Sequence, residues 1–192
     1  DTSNSNSTTI TGETISDLLF RNTIIAPFYT VSGIKAVKEI LSAFSYLQNH
    51  SNFSGNGIFI MSLITCPHEP FYFDKSGKVY NNPTSNWKDK KYYLEQYIFI
   101  TNKVIETVDS IIKHNPESII IIQSDHGARA SSDPELIGIF KPEEMRNIFN
   151  AVYCKGEKLD IEGLTGVNTI RLLLNKAFGE NFNMLDLPNN NK

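Results

Sequence analysis

The sequence predicts an α/β domain with a partly parallel sheet and helices on both faces of that sheet. Two segments, residues 58–66 and 118–123, are nearly continuous in apolar residues, which is typical of strands covered on both faces. Between them, residues 89–114 carry apolar side chains at helical spacing. Strand, helix and strand in that order predict a βαβ unit, whose right-handed crossover makes the two strands parallel.

Composition excludes several classes of protein. The chain has 192 residues, 40% of them hydrophobic, which suits one domain or a large part of a bigger one. A net charge of -3 provides no basic field for nucleic acid or a membrane surface. No apolar run reaches the ~18 to 20 residues that span a bilayer, so no membrane segment is predicted. The two cysteines, Cys66 and Cys154, lack metal-type spacing and are interpreted as ordinary semi-buried thiols.

Polarity divides the chain into a domain between two tails. Residues 1–12 contain one Ile among polar residues and cannot bury enough apolar surface to fold, so we expect a flexible tail. Residues 13–182 are interpreted as a single α/β domain. The polar end of the chain, residues 183–192, is interpreted as a second flexible tail.

The first half of the domain contains two predicted helices before the first strand. A short helix is expected over residues 13–22. A longer one is expected over residues 33–48, where apolar residues recur every three or four positions and Ser32 can cap the start. The strand predicted over residues 58–66 must end at a turn that contains two prolines.

The second half begins with the longest predicted helix, residues 89–114. Its predicted buried stripe consists of Leu94, Tyr97, Ile98, Thr101, Val104, Ile105, Val108, Ile111 and Ile112. Pro142 suits the first turn of a short helix that ends near Asn147. A third strand is expected over residues 148–154. A last helix is expected over residues 167–178, since Gly179 is a typical helix stop.

Two of the predicted strands end in polar turns that contain histidine. In open α/β sheets ligands bind at the carboxyl ends of parallel strands, where His68 follows one strand and Asp125 and His126 follow another. Adjacent strand residues face opposite ways, so Asp125 and His126 can converge on one ion only after the strand has turned, which Gly127 permits. A carboxylate with an imidazole suits zinc or manganese better than calcium.

Each of these residues also has an ordinary structural interpretation. Asp125 can cap the segment that follows it, and His68 can be a solvated loop residue. Glu69 is expected to be exposed rather than catalytic. Arg129 has the right position to meet an anion near the site, or it is a plain surface residue.

Taken in order, several motifs resemble the sulfatase-like division of the alkaline phosphatase superfamily, in its carboxyl-terminal part. A Pro-His-x-Pro-Phe turn with a following Phe-Asp-x-x-Gly occupies residues 67–77, and a Tyr-rich helix follows at residues 92–112. A strand that ends in Ser-Asp-His-Gly occupies residues 119–127. The segment Val-Asn-Thr-x-Arg-Leu-Leu-Leu-Asn-x-x-Phe-Gly occupies residues 167–179. The resemblance extends over about residues 13–182.

That resemblance implies a metal-dependent hydrolase or transferase of anionic phosphate or sulfate esters. By the match, Asp125 and His126 would be metal ligands. His68 would contact the anionic group or leaving group of the substrate, or a second metal. The Asp-His pair favours the phosphate-type members and zinc or manganese over calcium. The resemblance implies a cell-envelope or extracellular location, and the residues themselves leave a cytoplasmic one open.

The sequence departs from the family pattern at the nucleophile. The amino-terminal threonines follow no apolar strand, and Cys66-Pro67-His68 lacks the remainder of the sulfatase signature. We therefore expect the chain to be a carboxyl-terminal piece, inactive alone, whose nucleophile lies on residues that it does not contain. The alternative is a non-catalytic binding or structural domain with the same fold. An exposed sheet edge would also favour self-association.

Overall fold

The computed structural model describes residues 33–49, 58–128, 138–157 and 159–186. In chain order it contains α1 (Gly33–Asn49), β1 (Phe71–Phe73), β2 (Val79–Thr84), α2 (Lys90–His114), β3 (Ile119–Gln123), α3 (Pro142–Arg146), β4 (Asn150–Cys154) and α4 (Gly166–Phe178). The chain divides into two compact units, residues 1–114 and residues 115–192. The mixed α/β class is confirmed.

The first unit is built around α2. Its core cluster contains side chains from α1, β1 and α2 together with Cys66; its buried members are Val37, Ile40, Phe44, Cys66, Phe73, Phe99 and Ile100. Strands β1 and β2 form an antiparallel pair with an irregular register.

Asp74 directly follows β1. Its carboxylate accepts hydrogen bonds from the Ser76 hydroxyl and from the backbone N–H groups of Ser76 and Lys78, which lowers the pKa of Asp74.

The second unit pairs β3 with β4 and packs α4 against β4. The β3–β4 register is regular and antiparallel, from Ile119 opposite Cys154 to Gln123 opposite Asn150. Helix α4 begins at the N-cap Thr165, whose hydroxyl accepts from the N–H of Asn168, and ends at Gly179 with φ 72°. A left-handed Gly is a common helix C-cap because it has no Cβ to clash.

Two asparagines of α4 hold a segment without regular structure, residues 182–185, against the helix. The Asn168 amide donates to the Leu185 carbonyl at 3.0 Å and accepts from the Leu185 N–H at 2.9 Å. The Asn175 amide makes the same pair of bonds with Phe182, at 2.9 and 2.7 Å. Between them, the Arg171 guanidinium donates to the Asn183 carbonyl. We call residues 182–185 the strap.

Most predicted elements are confirmed within one or two residues. The helix expected over residues 33–48 is α1, the one expected over residues 89–114 is α2, and the one expected over residues 167–178 is α4. The short helix at Pro142 and the third predicted strand are also present, as α3 and β4. The helix predicted over residues 13–22 and the tail over residues 1–12 lie outside the described residues.

The predicted strand over residues 58–66 is wrong, and so is the partly parallel sheet. Residues 58–65 have no regular structure, and both sheets among the described residues are antiparallel. A strand requires a neighbour for its backbone hydrogen bonds, and no strand of the described residues pairs with this segment. Alternate side chains here are largely exposed, at 89% for Phe59, 77% for Met61 and 62% for Leu63.

The predicted buried stripe of α2 is wrong in part: Val104 packs against the core cluster, and Thr101, Val108, Ile111 and Ile112 are half-buried. The helix buries Gln96, Phe99, Ile100 and Thr107, whereas Leu94, Ile98 and Ile105 of the predicted stripe are exposed. The pattern showed that a helix forms but not which of two apolar faces meets the core.

Both cysteines are buried free thiols, and burial raises the pKa of the Cys66 thiol. Among the described helices, none is long and apolar enough to cross a membrane.

Candidate metal site and histidine turn

The Ser-Asp-His-Gly turn begins where β3 leaves its hydrogen-bond ladder. The Ser124 N–H donates to the Phe149 carbonyl at 2.9 Å. The Phe149 N–H in turn donates to the Ser124 hydroxyl at 2.7 Å. This Ser side chain therefore extends the β3–β4 pairing by one step and fixes the point from which Asp125 and His126 depart.

The other end of the turn is fastened to the carboxyl end of α3. The Gly127 N–H donates to the Met145 carbonyl at 3.1 Å, and the Ala128 N–H donates to the Glu144 carbonyl at 2.7 Å. A helix end leaves carbonyls without intrahelical partners, and the turn uses two of them. The approach is so close that a Cβ on Gly127 would lie 2.8 Å from the Asn147 carbonyl oxygen. Only glycine fits here without a backbone shift.

A third set of contacts supports the strand end from α4. The Gln123 amide donates to the Asn150 side chain at 2.9 Å and to the Gly166 carbonyl at 3.3 Å. The Asn150 amide donates to the hydroxyl of the fully buried Thr169 at 2.8 Å. Because β3, β4 and α4 are joined through these side chains, the residue before the turn has a fixed position.

Asp125 and His126 are brought together at the tip of this support. The chain bends at residues 125–128, which meets the geometric condition predicted from the sequence. The Asp125 Oδ1 atom accepts from the His126 N–H at 2.9 Å. The other carboxylate oxygen, Oδ2, lies 3.6 Å from Nε2 of His126, and the two side chains are 87% and 51% exposed.

The donor set of this pair fits a small divalent cation. His126 Nδ1 lies 2.7 Å from the Gly127 carbonyl oxygen. A carbonyl only accepts, so this contact places the imidazole proton on Nδ1 and the lone pair on Nε2. Two ligand atoms bound to one tetrahedral zinc ion are about 3.4 Å apart, given bonds of about 2.1 Å. The 3.6 Å between Oδ2 and Nε2 is near that value.

The pair alone does not make a complete coordination set. In the described portions of the chain, no three His, Cys, Asp or Glu side chains cluster closely enough to hold a metal. A zinc site needs three or four ligands. Any ion bound here would draw its other ligands from solvent, from substrate or from other residues.

The His68 turn lies in the first unit and is held by a buried glutamine of α2. The Gln96 carbonyl oxygen accepts from the N–H groups of Tyr72 and Phe73, at 2.6 and 3.3 Å. Its amide nitrogen donates to the carbonyls of Pro67 and His68, at 3.2 and 3.1 Å. Gln96 is fully buried, so one side chain satisfies two carbonyls of a turn whose prolines prevent regular pairing and two N–H groups of β1.

His68 itself is half-exposed and faces acceptors through Nδ1. That atom lies 2.7 Å from the Glu69 carbonyl oxygen and 3.2 Å from the Glu69 carboxylate. Both neighbours accept hydrogen bonds, so the proton of the neutral ring belongs on Nδ1 and the lone pair on Nε2. Glu69, expected to be exposed, is mostly covered, with 18% of its side chain accessible.

The structure thus brings Asp125 and His126 together in the second unit and places His68 in the first. Arg129 lies outside the described residues. Sequence reasoning missed Gln96 and the Gln123–Asn150–Thr169 contacts. The available signal for Gln96 was a polar residue between aromatic and apolar positions of a long helix. No pattern links such a residue to a turn 28 positions away.

Comparison with known proteins gives no match: no protein family, curated protein or solved structure matches the chain.

Proposed function

We propose that the chain contributes one edge of the metal centre of a phospho- or sulfo-ester hydrolase or transferase. Asp125 and His126 are its metal ligands, and His68 contacts the anionic group or leaving group of the ester, or a second metal. The observation that carries the proposal is the 3.6 Å separation of Asp125 Oδ2 and His126 Nε2. The ordered motifs that resemble the sulfatase-like enzymes support it independently of the geometry.

The side chains in this proposal have distinct roles. The Asp125 carboxylate supplies an anionic oxygen, and its other oxygen is held by the His126 N–H. The Gly127 carbonyl fixes the tautomer that leaves Nε2 of His126 as a ligand. Zinc or manganese, when bound, would lower the pKa of a nucleophile and neutralise charge that develops on the ester oxygens.

The nucleophile and the remaining carboxylate ligand belong, in this proposal, to residues that the chain does not contain. We therefore expect no metal-dependent turnover of aryl phosphate or aryl sulfate by this chain alone. The assay is performed with added zinc and with added manganese. Robust turnover that is lost in His126→Ala would place a complete site within the chain and refute this part of the proposal.

Calorimetric titration with zinc and with manganese tests the metal pair directly. We expect measurable heat for the unaltered chain and a loss of at least tenfold in affinity for Asp125→Ala and for His126→Ala. His114→Ala is the matched control. Like Nδ1 of His126, Nδ1 of His114 lies near a backbone carbonyl, that of Ser110 at 2.8 Å, but His114 does not follow Asp125 in the chain.

The control also separates specific from incidental binding. Equal heats for all four proteins would contradict the metal site and favour the alternative, a binding or structural domain without metal. A loss that His114→Ala shares equally would show that the chain binds metal through any accessible histidine.

A further inference from the structure

The His68 turn places a covered carboxylate against the ring nitrogen of the histidine that precedes it. Nδ1 of His68 lies 3.2 Å from Oε2 of Glu69 and 2.7 Å from the Glu69 carbonyl oxygen. The Glu69 side chain is 18% exposed, and the imidazole is 47% exposed. The Oε2 atom itself has almost no access to solvent. In this pair the carboxylate is therefore the covered member and the ring is the accessible one.

A covered carboxylate in this position acts on the imidazole through its charge. Water screens exposed charges, whereas a covered charge interacts more strongly with its neighbours because the local dielectric constant is lower. A lone pair on Nδ1 of His68 would face two acceptor oxygens, which is repulsive, while a proton on Nδ1 meets the same two oxygens favourably. Glu69 therefore favours the neutral ring that carries its proton on Nδ1 and its lone pair on Nε2.

The backbone that carries this pair is held by α2 on both sides of Glu69. The buried Gln96 amide donates to the carbonyls of Pro67 and His68. The carbonyl oxygen of the same side chain accepts from the N–H of Tyr72, just after the turn. Since these bonds restrict the backbone, the carboxylate keeps its place beside the ring more closely than a side chain on an open loop would.

We propose that Glu69 is a positioning residue that makes His68 an electron-pair donor through Nε2. The inference rests on the proposed function and narrows the role given there to His68. A hydrogen bond to an anionic oxygen requires a proton on Nε2, and the neutral ring described above has none. Histidines that bind metals commonly donate their other ring N–H to a carboxylate or a carbonyl. The ligand class that fits Nε2 of His68 is therefore a divalent cation.

Nitrogen-15 NMR of the histidine rings tests the tautomer in the full chain without metal or ester. At about pH 7.5 an ordinary imidazole is mostly neutral, and protonated and unprotonated ring nitrogens resonate far apart. We expect His68 to carry its proton on Nδ1. Glu69→Gln keeps the shape of the side chain and should shift the tautomer ratio at least about fivefold towards Nε2–H. An unchanged ratio in Glu69→Gln, or an Nε2–H ring in the unaltered chain, would overturn the proposal.

Two references in the same protein separate the effect of Glu69 from a general change of charge. Glu106→Gln makes the same chemical change on α2, at a carboxylate that pairs with Lys103, and should leave the His68 ratio unchanged. His114, whose Nδ1 also lies beside a backbone carbonyl, should keep one ratio in all variants. A shift at His68 in Glu106→Gln as large as that in Glu69→Gln would contradict a specific role of Glu69.

Zinc and inorganic phosphate, added separately to about 1 mM, test which ligand the ring accepts. Zinc should shift the Nε2 signal of His68, and phosphate should leave it unmoved. No response to zinc, or a response to phosphate, would overturn the role as electron-pair donor. These signals are read at His68 alone, whereas the metal pair of the proposed function is tested through Asp125→Ala and His126→Ala. Failure of one is therefore distinguished from failure of the other.

Discussion

Two uncharged residues, Gln96 and Gly127, determine the geometry of the two candidate turns. Gln96 and Gly127 have opposite roles. Gln96 supplies hydrogen-bonding groups to backbone that the prolines leave without regular partners. Gly127 has no side chain, which allows α3 to come close to the turn. The chemistry-bearing side chains His68, Asp125 and His126 depend on them for position.

Gln96→Leu should lower the free energy of unfolding by about 2 to 4 kcal/mol, because it removes hydrogen bonds from two carbonyls of the turn and two N–H groups of β1. Chemical denaturation monitored by circular dichroism measures the loss. Lys38→Leu makes a comparable change at an exposed position of α1 and should stay within about 0.5 kcal/mol. Equal stability of the two variants would show that the turn does not depend on Gln96.

Gly127→Ala should cost about 2 to 4 kcal/mol, since the added methyl group must push the turn away from the α3 carbonyls and break its hydrogen bonds. We also expect zinc affinity to fall, because Asp125 and His126 move with the turn. Gly166→Ala is the control: the nearest atom to its Cβ would be Nε2 of the Gln123 side chain, at an ordinary contact distance of 3.4 Å, and Ala is favoured over Gly in a helix. If Gly127→Ala unfolds like the unaltered chain, the close approach to α3 is not present in solution.

At the scale of elements, α4 supports the second unit in two ways. Its first turn joins the ends of β3 and β4 through Thr169 and Gly166. Asn168 in the same turn and Asn175 near the other end hold the strap, part of which falls in the range predicted as a flexible tail. The polar side chains of this helix therefore bond both to a side chain of β4 and to backbone groups of the strap.

Asn168→Ala should release the carboxyl end of the strap while leaving α4 folded. Asn168 is buried and makes both bonds to Leu185, so amide hydrogen exchange at Leu185 should accelerate at least tenfold. Exchange at Phe182 should change less, because Asn175 still holds it. Asn175→Ala should show the reverse order. Equal effects of both variants at both amides would mean that the strap opens as one piece.

The positions of the helices were predictable from the sequence, and the elements that pack or pair with one another were not. Local spacing and stop signals such as Gly179 act within a few residues, so the bounds of α1, α2 and α4 followed closely. The pairing of β3 with β4, and the face that α2 buries, depend on residues far apart in the chain. The Asp125–His126 turn was predictable because Gly127 follows it directly, whereas the Gln96 contacts span 23 to 29 positions.

At the scale of the whole molecule, the described residues leave much apolar surface exposed in the first unit. Residues 58–65 turn Ile64 towards the core cluster and expose Phe59, Met61 and Leu63. Large contiguous apolar patches are uncommon on monomeric soluble proteins. Substitutions in residues 58–65 are therefore expected to change the solubility of the protein without a matching change in its free energy of unfolding.

Replacing Phe59 with Ser and Met61 with Gln should raise solubility without loss of stability. Both side chains are already mostly in water, so the free energy of unfolding should change by less than about 0.5 kcal/mol. The fluorescence of a dye that binds apolar surface should fall. Phe73→Ala, in the core, should instead cost about 3 to 5 kcal/mol. A comparable cost for the surface pair would show that residues 58–65 are covered in solution.

The strap has a consequence for substitution tolerance. Asn168 and Asn175 contact only backbone N–H and C=O groups of Leu185 and Phe182, and every residue type except proline provides both. A library randomised at positions 182 and 185 should therefore discard proline at both positions, with a preference for an aromatic residue at position 182, where Arg171 Cζ lies 5.7 Å from the centre of the Phe182 ring. A library randomised at positions 168 and 175 should retain asparagine almost alone. The contact therefore constrains the sequence of the helix much more than the sequence of the strap.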